Sequence, residues 1–177
     1  MKEMGYFIAK LKFKLCGNRK ESISEYFRKH GMKIGDGCNI CCNIMTTEPY
    51  FISLGNNVTI SGEVMFVTHD NSASKIIPEK PNLYGRIKIG DNCFIGARSL
   101  IMYGVELANN IIVAAGSVVC NSFYNEGVII GGNPAKVIGT WNDFENKISI
   151  HGMKSGKARE ISNLESKEFI VRGSKLE

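Results

Sequence analysis

His69, in Val67-Thr68-His69-Asp70, is the side chain whose type and setting best suit proton transfer. An imidazole can be neutral near pH 7 and can take a proton from an attacking hydroxyl. Its other ring nitrogen then needs an acceptor that fixes the tautomer. Asp70 is adjacent, but neighbouring strand residues point to opposite faces, so a backbone carbonyl is an equal alternative. From the residues alone, a catalytic base and a solvated loop histidine are equally good readings. The other two histidines, His30 and His151, lie in flanking segments. Six cysteines (Cys16, Cys38, Cys41, Cys42, Cys93, Cys120) are too sparse for a disulfide scaffold. Cys38-Asn39-Ile40-Cys41 has C-x-x-C spacing, but no second pair or nearby histidine completes a zinc site. The cysteines read as small buried thiols in a reducing, cytoplasmic protein, and no metal is expected.

The elements that position His69 follow from a repeat. Stepping by six from Ile89 meets Ile95, Ile101, Leu107, Val113 and Val119. The same step links Leu54, Ile60 and Phe66, and links Ile34 to Ile40. Four residues after each aliphatic position comes a mostly small or β-branched one, such as Cys38, Val58, Cys93, Ser99 and Ser117. A period of six fits neither a helix nor an ordinary meander. It fits a solenoid with a triangular coil, each side a short strand and each corner a tight turn, in which stacked coils bury the aliphatic residue. Glycine, 19 of 177 residues, suits those corners. Leu54 follows Ile40 by 14 positions, which is two repeats and two extra residues. The period breaks again after Phe66 and resumes at Ile87 or Ile89. The break, 71–86, contains Pro78 and Pro81 and reads as a protruding functional loop opening beside His69.

Three segments carry a family resemblance: Ile89-Gly90-Asp91-Asn92-Cys93-Phe94-Ile95-Gly96, Ala115-Gly116-Ser117-Val118-Val119, and Gly132-Asn133-Pro134-Ala135-Lys136-Val137-Ile138. Together they resemble the hexapeptide-repeat acyltransferases, most closely the maltose, galactoside and capsular or exopolysaccharide O-acetyltransferases. The resemblance covers about residues 34–140. It implies an all-β solenoid, a left-handed parallel β-helix, and transfer of acetyl from acetyl-CoA to a saccharide hydroxyl in surface polysaccharide or lipopolysaccharide assembly. It implies His69 as the general base, acting directly in a ternary complex, since no cysteine stands beside a histidine as a nucleophile pair. It also implies a homotrimer with coenzyme A between subunits. The cofactor residues it implies are Phe94, where relatives usually have Trp, together with Ala97, Ala115, Cys120, Asn121 and Lys136. Cys120-Asn121 replaces a common Thr-Lys, removing one cation. For the acceptor it points to Asn43, Glu48 and Asp70. Rival readings are an N-acetyltransferase on an amino sugar or antibiotic, and a non-catalytic scaffold. A γ-type carbonic anhydrase needs three converging histidines, and the repeat holds one.

The flanks complete three regions: a helical arm over 1–33, the solenoid over 34–140, and a helix and tail over 141–177. Formal net charge is +5. It comes from the arm, which has nine Lys or Arg against three Glu, whereas 34–140 has six against eight. A slightly acidic body argues against a nucleic-acid partner. Met4, Phe7, Ile8, Leu11 and Leu15 share one helical face, with Lys10, Lys12 and Lys14 elsewhere. Ser22-Ile23-Ser24-Glu25 has capping-box spacing before a second helix, with Gly31 near its end. The arm reads as a cap on the open end of the solenoid, or as a basic amphipathic helix on an anionic membrane surface. Its lysines break any secretory signal. A short helix is expected over 142–150, then a mobile tail.

Overall fold

The computed structural model describes residues 3–15, 20–162 and 170. Two helices open the chain, α1 (Glu3–Leu15) and α2 (Glu21–Lys29). The strands are β1 (Lys33–Ile34), β2 (Asn39–Ile40), β3 (Ile52–Leu54), β4 (Thr59–Ile60), β5 (Met65–Phe66), β6 (His69–Asp70), β7 (Leu83–Tyr84) and β8 (Ile87–Ile89). After them come β9 (Phe94–Ile95), β10 (Leu100–Ile101), β11 (Glu106–Leu107), β12 (Ile112–Val113), β13 (Val118–Val119), β14 (Val128–Gly132) and β15 (Ala135–Thr140). Helices α3 (Trp141–His151) and α4 (Ser155–Glu160) end the described chain. The chain forms two compact units, residues 1–138 and 139–177.

Consecutive repeat strands go to three different sheets, ordered β1-β3-β8-β11, β5-β10-β13 and β2-β4-β9-β12-β14-β15, and β1 to β5 and β8 to β14 pair in parallel within them. Register is kept coil to coil: Ile60 lies beside Ile95 and Ile95 beside Val113, while Phe66 pairs with Ile101 and Ile101 with Val119. These are the residues of the six-step series, and from Ile34 to Val119 all are buried. The small positions are buried with them: Cys38, Val58, Val64, Cys93, Ser99, Val105, Ile111 and Ser117. Each coil thus surrounds a column of interlocking aliphatic side chains.

The corners explain the remaining pattern. Asn57, Asn92 and Asn110 take positive φ, between 54° and 58°, on one edge of the prism. Asparagine tolerates this region because its amide can bond locally. Here the amides also form a ladder: Asn57 Nδ2 donates to Asn92 Oδ1, Asn92 to Asn110, and Asn110 to Glu126. Where glycine follows the corner aliphatic, the next coil leaves no room for a side chain. A Cβ on Gly90 would fall 2.6 Å from the Ala108 backbone. Cys38 and Cys93 direct their thiols at the Gly55 and Ala108 carbonyls, and burial raises both pKa values. Cys41 and Cys120, by contrast, are exposed, because each starts a corner after an inward residue. Cys16 lies outside the described residues.

The arm departs from the sequence reading in one place, the start of its second helix. Helix α1 turns Tyr6, Ala9 and Phe13 toward the core and leaves Met4, Phe7, Ile8, Leu11 and Leu15 exposed. The larger apolar stripe therefore faces out. Helix α2 packs on β1 and β2 through buried Ile23 and Phe27. It begins at Glu21 without a side-chain cap, so the Ser22 capping box is not formed: Ser22 is already inside the helix. Gly31 follows the helix end at φ +101°. In the second unit, Thr140 and Asp143 form a reciprocal capping box that starts α3. Helix α4 occupies some of the expected tail; 163–169 and 171–177 lie outside the described residues.

Candidate active site

Where the repeat breaks, the structure builds a short antiparallel ladder. His69 and Asp70 in β6 pair with Tyr84 and Leu83 in β7, so the protrusion is an arm with a paired base rather than an irregular loop. The sequence missed this because two-residue strands leave too little alternation to detect. Asp70 serves the arm itself. Its Oδ1 accepts the Ser72 N–H at 2.8 Å and its Oδ2 faces the Tyr103 hydroxyl at 3.4 Å. The Ser72 bond holds the Asp70 pKa below its usual value.

The acceptor for His69 is Glu48. His69 Nδ1–H donates to Glu48 Oε2 at 2.9 Å, across 21 residues of sequence. Glu48 is 8% exposed and stands directly before a 3-10 turn, Pro49–Phe51, in the region of the two-residue insertion. Its other bonds are fixed by proton bookkeeping. The Glu48 N–H donates to Thr46 Oγ1 at 3.1 Å. Thr68 Oγ1 donates to Glu48 Oε2 at 2.6 Å, so the 2.8 Å contact between Thr46 and Thr68 must have Thr46 as donor. Thr47 Oγ1 donates to Glu48 Oε1 at 2.6 Å. The carboxylate thus accepts three hydrogen bonds within a closed ring. Burial pushes its pKa up, but the bonds from Thr47, Thr68 and His69 outweigh this and hold it below the usual value. An ionised Glu48 places the imidazole proton on Nδ1 and leaves the Nε2 lone pair free.

An open cavity of about 390 Å³ adjoins this group, lined by Met45, Thr46, Thr47, Phe66, Val67, Thr68 and His69. Aromatic rings continue from the histidine. Tyr84 lies 5.6 Å from the His69 ring, Phe51 6.0 Å from Tyr84, and Tyr50 4.8 Å from Phe51. The arrangement can abstract a proton at Nε2 and stabilise the resulting imidazolium through Glu48.

The residues expected to hold cofactor separate into columns. Ala97 and Ala115 are exposed on one edge, in successive coils joined by the Gly116 N–H to the Ala97 carbonyl. Cys120 and Asn121 are exposed on the next edge, the one that carries the His69 arm, where Met102 N–H bonds Val119 and Val67 N–H bonds Ile101. Between the two edges lies the β5-β10-β13 face, whose outward side chains are Met65, Leu100 and Val118. Phe94 is half exposed on the adjoining face, and Lys136 is exposed just inside β15. Asn43 is partly buried, and its Oδ1 is buried without a partner. Glu48, expected at the acceptor, is bonded to His69. Sequence reading missed Thr46, Thr47 and Thr68; the available signal was an acidic residue inside the insertion, on the same edge as His69. Among the described residues, no group of three or more His, Cys, Asp or Glu side chains could hold a metal ion.

The repeat has a match among known families. A family model described as hexapeptide repeat of succinyl-transferase matches residues 86–120. Protein CapG of Staphylococcus aureus is 44% identical over 136 residues, 73% of this chain and 78% of CapG. The chain belongs to the hexapeptide-repeat acyltransferases. A galactoside O-acetyltransferase of Escherichia coli is 30% identical over 67% of this chain, which spans 59% of that enzyme. The solved galactoside acetyltransferase in complex with coenzyme A superposes with a TM-score of 0.57 at 20% identity, covering 88% of this chain and 90% of the other. That likeness gives the fold as the left-handed parallel β-helix of this family. Among the described residues, no helix is long and apolar enough to cross a membrane.

Proposed function

We propose that this acyltransferase moves an acetyl group from acetyl-CoA to a saccharide hydroxyl, with His69 as general base. The observation that carries the reading is the buried Glu48 carboxylate on His69 Nδ1, which leaves Nε2 to face substrate. His69 Nε2 takes the acceptor proton as the acceptor oxygen bonds to the thioester carbon. The C–S bond then breaks, and His69 returns the proton to the leaving sulfur. Acceptor hydroxyl and acetyl thioester become ester and free thiol. Throughout, Glu48 holds the ring and offsets its transient positive charge.

The surfaces beside His69 fit these two substrates. The apolar face of Met65, Leu100 and Val118, bounded by the small Ala97 and Ala115, suits an extended pantetheine chain. Lys136 offers a cation for phosphate. Tyr84, Phe51 and Tyr50 give ring faces against which the C–H side of a sugar can pack. The reading includes a homotrimer with sites between subunits. Ile76, Ile77, Leu83 and Tyr84 on the arm are all at least half exposed, as a surface awaiting a neighbouring copy would be. Helix α2 then closes the first coil.

Calorimetric titration with acetyl-CoA, repeated with free CoA, tests the donor. Saturable binding near one per subunit is expected. No binding at millimolar concentration would overturn the assignment.

A further inference from the structure

Helix α1 is apolar on two sides. Its inner side is used: Tyr6 packs edge-on to Tyr26 with centroids 6.0 Å apart, Gly5 lies against the same ring, and Ala9 is buried. Its outer side carries Met4, Phe7, Ile8, Leu11 and Leu15, which are between 47% and 75% exposed. Five large apolar side chains on one helical stripe exceed the scattered exposure normal for a surface.

The cations are placed around that stripe. At 100° per residue Lys12 borders one side of it, and Lys10 and Lys14 border the other. All three are exposed. Residues 4–15 include no Asp or Glu. The body of the repeat is slightly acidic, and most of the net positive charge lies in the N-terminal arm. An apolar stripe edged by lysines on both sides is the layout of a helix lying in a bilayer interface, with lysine stems reaching up to the headgroups. The same layout disfavours a second copy. Pairing two such stripes would bring three lysines from each copy together against a single carboxylate, Glu3, at the first residue of each helix.

We infer that the outer stripe of α1 docks the protein on an anionic lipid surface, with Met4, Phe7, Ile8, Leu11 and Leu15 in the acyl boundary and Lys10, Lys12 and Lys14 at the headgroups. The inference is independent of the acceptor and of the role of His69. It makes the enzyme a peripheral membrane protein held by one helix, whose inner side keeps that helix fixed to α2.

The test is co-sedimentation of the full chain with phosphatidylcholine vesicles, with and without about one-third phosphatidylglycerol. Strong binding to the anionic vesicles, weakened by salt, is expected. Lys10→Gln/Lys12→Gln/Lys14→Gln should weaken it on the order of 100-fold, at roughly fivefold per lysine. Phe7→Glu/Leu11→Glu should abolish it while leaving thermal midpoint and subunit number unchanged, since neither side chain is buried. Absence of wild-type binding would overturn the inference. Equal binding by the Phe7→Glu/Leu11→Glu variant would do the same. So would a change in subunit number in that variant by light scattering, which would assign the stripe to an interface between copies.

Discussion

Replacing Glu48 by Gln isolates the charge on the His69 partner while sparing its shape. The ring of hydrogen bonds decides how the amide sits. Thr46 donates to Thr68, so Thr68 must pass its own proton to the group beside it. The amide that keeps these directions has its oxygen at the Oε2 position, where it can still accept from His69 Nδ1–H. The amide nitrogen then faces Thr47, whose hydroxyl can reverse and accept. Geometry and tautomer survive, and what is lost is the carboxylate charge opposite an imidazolium in the transition state. A hydrogen bond to a charged group contributes about 1–2 kcal/mol more than a neutral one. The expected result is a fall in kcat of roughly 10- to 30-fold. KM for acceptor and for acetyl-CoA should hardly move. Adding Thr68→Val frees the amide to turn its N–H toward Nδ1, which inverts the tautomer and should cost at least about tenfold more. The assay is release of free thiol from acetyl-CoA at saturating acceptor. An unchanged kcat with a raised acceptor KM would refute the reasoning and return Glu48 to the acceptor pocket.

Further outcomes follow from the same structure. Glu48 has a lowered pKa when folded, so its contribution to stability is complete above its unfolded value of about 4.3 and is lost as pH falls through the lower folded value. Urea unfolding of Glu48→Gln should therefore show a flatter stability profile than wild type below about pH 4.3. Gly90→Ala places a Cβ 2.6 Å from the Ala108 backbone and should force adjacent coils apart, lowering stability by about 3 kcal/mol in urea. Asn92→Ala removes two rungs of the amide ladder and leaves a Cβ residue at φ +56°, for a loss of about 2 kcal/mol. Ile101→Ala empties a fully buried core position and should cost about 2–5 kcal/mol by the same measure.

The solenoid was legible in the sequence because each corner of a triangular coil admits one aliphatic residue at a fixed step, and the step of six holds in three runs, Ile34 to Ile40, Leu54 to Phe66 and Ile89 to Val119. His69 was legible because it opens the stretch where that step fails. Its partner was not. Glu48 reaches His69 across stacked coils, and a two-residue insertion shifts the register there, so no local pattern joins them. The α1 face stayed open between two readings for a different reason. Both sides of that helix are apolar, and the periodicity of Met4, Phe7, Ile8, Leu11 and Leu15 outweighs the smaller set of Tyr6, Ala9 and Phe13 that meets Tyr26 and Phe27. Periodicity reports that a face is apolar, not what covers it.

The central claim is that His69 is the base in transfer from acetyl-CoA. Its most direct test is acetyl-CoA-dependent thiol release over a panel of saccharide acceptors, comparing wild type with His69→Ala. Turnover by wild type and a loss on the order of 10² to 10⁴ in kcat for the variant, with acetyl-CoA binding retained, is predicted. Equal turnover by the two proteins would contradict it.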